Sequence, residues 1–263
     1  MAKIRFIVAT FGDFPGLPDL LSDEEVQGKL LSFVRGEIDQ SGLGESGERL
    51  RELELLYSDG LAFPVVLEEA FSKLRRDLER LSEEYAEIIY NTLADVVGGS
   101  EEAAAVAVLG ELDAALDDSI VEVVRPLRLT RGEVMICGFE GAPELEYSGY
   151  CEGLPEGLSC IVEAGSPERY LRASIDSSSP IFSGSQLMRE LSDELRDVSL
   201  DSARGWVERL RLAKRQEGQF VYGFTKLVFH AAVRELASRD FVPWNVRLEY
   251  EVRMRRGLSA PGK

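Results

Sequence analysis

Ile4 and Phe6 to Ala9 form a near-continuous apolar run at the head of the chain. Such a run reads as a strand buried on both faces, which suits a parallel sheet better than an alternating strand with one wet face. Thr10, Gly12, Asp13, Pro15 and Gly16 then crowd into seven positions, and a polar periodic segment follows. Ser22 with Glu25 three residues on reads as a capping box for a helix to about Gly36. Strand, small polar turn and helix together place backbone N–H groups and hydroxyls at the carboxyl edge of a sheet, where open α/β folds bind ligands.

Gln40 to Glu48 is rich in Gly, Ser and Glu and reads as a loop, and Leu53 to Tyr57 as a short second strand ending in Ser58-Asp59-Gly60. The most regular segment runs from Pro64 to Val97. Leu67, Phe71, Leu74, Leu78, Leu81, Tyr85 and Ile88 recur at alternating spacings of four and three, the pattern of a helix–helix seam. That stripe is either a dimer or coiled-coil surface, or the inner face of a long helix packed on its own chain. Gly98-Gly99-Ser100 stops this helix and caps the next, alanine-rich one, expected over Glu101 to Leu116. Ile120–Arg128, Glu133–Phe139, Leu158–Val162 and Tyr170–Ile175 read as strands. A glycine-rich loop or hairpin lies between Gly138 and Gly157, and Asp176-Ser177-Ser178-Ser179-Pro180 closes the last of these strands. Helical periodicity returns from Ser185, over Trp206–Lys214 and over Phe220–Leu236. Trp244–Arg253 alternates strictly, as a half-exposed strand at a sheet edge does, before a basic tail.

Charge divides the chain unevenly. Residues 201–263 hold 13 Lys and Arg against 7 Asp and Glu, whereas the whole chain carries a net charge of −17. An acidic body does not attract duplex nucleic acid, whose binding rests on phosphate neutralisation. The basic end either holds something anionic or packs against the acidic body. No apolar run reaches the roughly 18–20 residues of a membrane span. No signal peptide is read, so a cytoplasmic protein is expected. Few Asn and Gln among many Arg and Glu point to a thermophilic source. Cys137, Cys151 and Cys160 form no C-x-x-C pair and His230 is the sole histidine, so no zinc site is expected.

Among candidate sites, Thr10 and Asp13 supply a hydroxyl and a carboxylate, while Gly12 and Gly16 let the backbone approach a ligand. The turn is neither a G-x-G-x-x-G nor a Walker loop, so dinucleotide and NTP sites are not supported. His230 sits among Leu227, Val228, Phe229, Ala231 and Ala232 and reads as a core or interface histidine, which leaves little basis for Ser-His-Asp or Cys-His chemistry. Asp117, Asp118, Glu140, Glu144 and Glu146 are candidate cation ligands, but solvated acidic faces are commonplace in a chain with 47 acids. Arg204, Arg209, Arg211, Lys214 and Arg215 lie beside Trp206. They either grip phosphates with Trp206 stacking a base, or form a solvated face with Trp206 in the core.

Val8-Ala9-Thr10-Phe11-Gly12-Asp13-Phe14-Pro15-Gly16 resembles the first strand and loop of CARF (CRISPR-associated Rossmann fold) proteins. The resemblance implies a cyclic oligoadenylate bound at a dimer interface, in some members with cleavage of the ring. A second family element, a strand ending in an Asp-x-Thr-His-Gly-like or Thr-Gly-Gly-like loop, is approximated by Tyr57–Phe63 and by Asp176–Ser179, neither with the histidine. The mark of the HEPN ribonuclease domain, an arginine four to six residues before a histidine, is absent before His230. The resemblance therefore implies a sensor, or a metal-independent ring nuclease that positions the 2′-hydroxyl.

These observations give an α/β expectation: a Rossmann-like, mostly parallel sheet with long helices over residues 1–200, and a helical basic region with an edge strand over 201–263. The first functional expectation is a CARF-like sensor, with or without cleavage of its ligand, with Thr10, Gly12, Asp13, Ser177 and Ser178 at the pocket of a homodimer and no cofactor or metal. The second is a non-enzymatic interaction subunit assembled through the Leu67–Ile88 stripe.

Overall fold

A computed structural model describes residues 3–12, 14, 16–142, 148–151, 160–161, 169–243 and 246–253. The apolar run at the head of the chain forms β1 (Ile4–Gly12). Two short helices, α1 (Leu17–Ser22) and α2 (Glu24–Val34), follow it. The cap of α2 is Asp23 rather than Ser22, its carboxylate accepting from the N–H groups of Glu25 and Val26. The stretch read as a loop at 40–48 is a single tight turn running into α3 (Glu45–Glu52). A hairpin of β2 (Leu56–Tyr57) and β3 (Gly60–Leu61) leads to β4 (Val65–Val66) and the long α4 (Glu68–Val97).

Next comes a continuous helix with a change of winding in its middle. It comprises α5 (Glu101–Ala105), a π-helical stretch over Val106–Leu112, and α6 (Asp113–Val123). Ile120–Val123, read as the start of a strand, is thus the end of a helix. The strands β5 (Leu127–Leu129), β6 (Gly132–Glu140), β7 (Ser148–Cys151), β8 (Cys160–Ile161) and β9 (Arg169–Asp176) come after it. Two helices of 25 residues, α7 (Gln186–Leu210) and α8 (Lys214–Ser238), precede the last strand, β10 (Val246–Arg253). Ser185 caps α7 by accepting from the Met188 N–H.

The expected mostly parallel Rossmann sheet is not present. The main sheet has the order β4-β6-β1-β8, with β5 also on β6. β1 runs antiparallel to β6 along its whole length and antiparallel to β8, and only the two-residue β4 pairs in parallel. The reason is legible in the packing. Ile7 and Ala9 face one apolar cluster together with Met135, Cys137 and Phe139 of β6 and residues of α4, α6, α7 and α8. Ile4, Phe6 and Val8 face a second cluster with Val134, Ile136 and α1–α3. Helical layers cover both faces, so β1 is apolar on both sides, as expected. That burial is compatible with antiparallel pairing once helices supplied by other parts of the chain cover the sheet.

A smaller sheet has the order β7-β10-β9 and is parallel throughout. Val246, Leu248 and Tyr250 of β10 are buried, and Glu251 and Arg253 are exposed. The alternation is as expected, but β10 is the central strand of this sheet rather than an edge. The α4 stripe also turns inward: Phe71, Leu74, Leu78, Leu81 and Tyr85 are buried and belong to the main cluster. The Tyr85 hydroxyl donates to the Leu195 carbonyl of α7. The stripe is thus spent within the chain, as the intramolecular alternative has it.

α8 lies at the centre of this core. Twelve consecutive residues, Gln219 to His230, are buried, so the helix has no wet face there. Its approach to β6 depends on Gly223, where an added Cβ would lie 2.3 Å from the Cys137 Cβ. Glycine is normally a liability inside a helix, by about 1 kcal/mol against alanine. At this position the order reverses. Gly223→Ala is expected to lower the free energy of unfolding by ~1–3 kcal/mol through overpacking, measured by urea denaturation. A stabilised Gly223→Ala protein would show that α8 does not contact β6 this closely.

Candidate functional site

The residues first proposed as a pocket occupy two different sheets. Thr10 lies inside β1 opposite Val134, and Gly12 ends the strand opposite Gly132. Asp13 lies outside the described residues, as do Glu144 and Glu146. Ser177 and Ser178 follow β9 in the small parallel sheet. The Ser177 N–H donates to the Arg253 carbonyl, and the Ser178 N–H and hydroxyl both donate to the Asp176 carboxylate. These groups close a turn at the carboxyl end of β9, on a sheet that does not contain Thr10.

A buried charge centre lies between α6 and α8. The Lys226 ammonium, with no solvent exposure, sits 2.6 Å from Asp113 and 2.8 Å from Asp117. The Tyr222 hydroxyl, one helical turn away, donates to Asp117 at 2.9 Å. Asp113 and Asp117 share a face of α6 because they are four residues apart, as are Tyr222 and Lys226 on α8. Burial pulls the Lys226 ammonium down, but the two carboxylates outweigh it and hold the group above its ordinary value. Another turn on, His230 is pushed well below its ordinary value by burial and then by the Lys226 charge, so it is neutral. Asp118, exposed on the far side of α6, is raised by desolvation and then by Asp117 and Glu122. The π-helical stretch feeds directly into this centre. Gly110 there lets the Tyr250 ring of β10 approach, since a Cβ would fall 2.5 Å from it, and buried Glu111 accepts the Ser183 N–H.

A second buried carboxylate, Glu140 at the end of β6, accepts from Arg35 at 2.5 Å and from the Glu68 N–H at 3.0 Å. Leu67 at the N-cap of α4 has no side-chain acceptor to offer, so a carboxylate 72 residues further along the chain supplies one. Two of the candidate cation ligands, Asp117 and Glu140, are therefore occupied by Lys226 and by Arg35 with α4. No group of three or more acidic, His or Cys residues suited to a metal occurs among the described residues. The sequence reading missed Lys226 and the structural use of Glu140. The one available signal was a lysine inside an otherwise apolar stretch of α8.

An open surface away from this centre lies where the start of α4 meets the end of α7. Two adjoining hollows of about 340 and 390 Å³ share Leu67, Ala70 and Leu210 as a common wall. The first continues over Phe33, Val34 and Val65 to Arg211 and Leu212, and the second over Lys73 and Trp206 to Arg209. Trp206 is buried, its indole N–H donates to Asp77 at 2.7 Å, and the Arg209 guanidinium covers its ring at 4.8 Å. This is the alternative in which Trp206 belongs to the core. Arg215 is tied to Asp59 at 2.8 Å and Lys73 to Glu69 at 2.8 Å. Arg204, Arg209, Arg211 and Lys214 have no ion-pair partner among the described residues.

No family model, no curated protein and no solved structure matches this chain. Among the described residues, no helix is long and apolar enough to cross a membrane.

The chain has a single histidine, which makes the charge centre testable through pH. The folded protein holds His230 neutral, whereas the unfolded chain takes up a proton near pH 6.5. Below that pH the unfolded state binds more protons, so this contribution is complete above pH 6.5 and is lost as pH falls toward the depressed folded value. The expected loss is up to about 1.4 kcal/mol per pH unit. His230→Gln removes it, so the stability difference between wild type and variant should narrow steadily from pH 7 to 5. A difference independent of pH would show that His230 titrates in the fold as it does in the unfolded chain.

Proposed function

We propose that this protein is a non-enzymatic binding module that takes an anionic partner at the groove between α4 and α7. The observation that carries this reading is Arg209 and Arg211, without an ion-pair partner among the described residues, at the rim of two mainly apolar hollows on a chain whose net charge is −17. In so acidic a protein, a local concentration of unpaired cations around an open apolar surface is a recognition feature. The grouping of titratable residues around Lys226 supports a different role. Lys226 and His230 are sealed from solvent, and the Lys226 charge is matched by Asp113 and Asp117, so they hold α8 in place rather than meet a substrate. An interaction subunit was one of the two functions expected from the sequence. The surface proposed here replaces the α4 stripe, whose leucines are engaged inside the chain.

The test is fluorescence anisotropy at low salt with two labelled anionic probes, a polyglutamate peptide and an oligothymidylate. At least one is expected to bind, more weakly as salt rises. The exposed double charge reversal Arg209→Glu with Arg211→Glu should weaken that binding ~10-fold or more, a loss of about 1.4 kcal/mol or greater. Failure of both probes to bind, or binding indifferent to the double reversal, would refute the reading.

A further inference from the structure

Resting on that reading, we infer that the occupant of the groove is an acidic segment of a partner protein carrying two neighbouring large apolar side chains, one for each hollow. The uncharged polar side chains that line the hollows are already engaged within the fold. The Gln216 side-chain amide donates to the Leu61 and Phe63 carbonyls at 3.0 and 3.1 Å. The Trp206 indole N–H is held by Asp77. A site that reads a base edge or a ribose needs free donors and acceptors facing the ligand, and a stacking platform needs an open aromatic face. Arg209 occupies the face of Trp206, Glu69 and Lys73 neutralise each other at the wall, and the other walls, Phe33, Val34, Val65, Leu67, Ala70 and Leu210 among them, are apolar.

Apolar walls inside with cations at the rim select a ligand that is apolar where it enters and anionic around the point of entry. The hollows adjoin along one shared wall, so their two anchors must be close neighbours on the ligand. Side chains three or four residues apart on a helix meet that requirement, as in helix-in-groove recognition. Charge density discriminates in the same direction. A nucleic acid brings a charge at every nucleotide toward a chain of net charge −17, whereas a peptide needs acids only opposite Arg209 and Arg211.

The test is selection of a displayed random-peptide library on the full-length chain, with the Leu210→Lys chain present as soluble competitor. Enriched peptides and an oligothymidylate are then titrated by anisotropy. Enriched sequences are expected to carry paired large apolar residues flanked by Asp or Glu. Their affinity should fall ~10-fold or more on Leu210→Lys, and likewise on the exposed Arg209→Glu/Arg211→Glu protein, which keeps the test informative should Leu210→Lys fail to fold. The oligothymidylate should bind at least ~10-fold more weakly than the peptides. The inference is overturned if enriched peptides lack acids or paired apolar residues, if no peptide depends on the groove, or if the oligothymidylate binds as tightly. An oligothymidylate that binds tightly and loses affinity on charge reversal would leave the anion-binding reading standing and remove only the peptide. Loss of every charge-dependent probe would remove both.

Discussion

Lys226 can remain in the interior only because α6 presents Asp113 and Asp117 within 2.6 and 2.8 Å of its ammonium. An ammonium moved from water to an apolar interior without such partners carries a penalty of several kcal/mol. The same constraint runs the length of α8. Over its fully buried stretch four polar residues, Gln219, Tyr222, Thr225 and Lys226, each meet a matched group from a different element. Gln219 accepts the Ile136 N–H of β6 at 2.8 Å, Thr225 pairs with Ser199 of α7 at 2.9 Å, and Tyr222 and Lys226 meet α6. These contacts fix both the rotation and the axial position of α8, because a shift of one residue would leave several buried groups unmatched at once. Buried ion pairs are weak evidence of added stability, and their use here is to specify one packing of the helices around the sheet.

Around that axis the two sheets take their places. Gly223 brings α8 onto Cys137 of β6, and Gly110 in the π-helical stretch brings Tyr250 of β10 onto the helix that carries Asp113 and Asp117. π-helical turns within α-helices often mark functional positions. Here the turn sits where the small parallel sheet meets the charge centre. The groove owes its shape to the same layout. Gln216, in the first turn of α8, holds the Leu61 and Phe63 carbonyls. The segment that leads into α4 thereby forms one wall against the end of α7.

The individual elements were largely legible in the sequence. The apolar run of β1, the alternation of β10, the spacing of α4 and the Ser185 cap of α7 each reflect local periodicity or capping chemistry, and each lies where its residues place it. The pairing of strands was not legible. A strand buried on both faces records that something covers both sides, not which strand lies alongside, and in this chain the partner of β1 lies more than a hundred residues away, running antiparallel. The edge assignment of β10 failed for a related reason. Its alternation reports one buried and one wet face, which a central strand of a one-sided sheet shares with an edge strand. Of the site, the basic cluster around Arg209 and Arg211 was visible as charge, but the hollows were not. Their walls come from α2, the β3–β4 segment, α4 and α7, and no local pattern announces that these converge. Glu140 likewise reads as one acid among many until its position at the start of α4 is known.

The turn after Thr10, the α4 stripe and the groove beside Leu210 are three alternative surfaces for binding. They carry different methyl groups, so methyl-resolved NMR of the full chain, titrated with a groove-selected acidic peptide, separates them in one measurement. The account predicts shifts concentrated at Val34, Val65, Leu67, Leu210 and Leu212, with Leu74, Leu81 and the methyls near Thr10 unmoved. Shifts centred on the Thr10 turn or on the α4 stripe, with the Leu210 region silent, would contradict it.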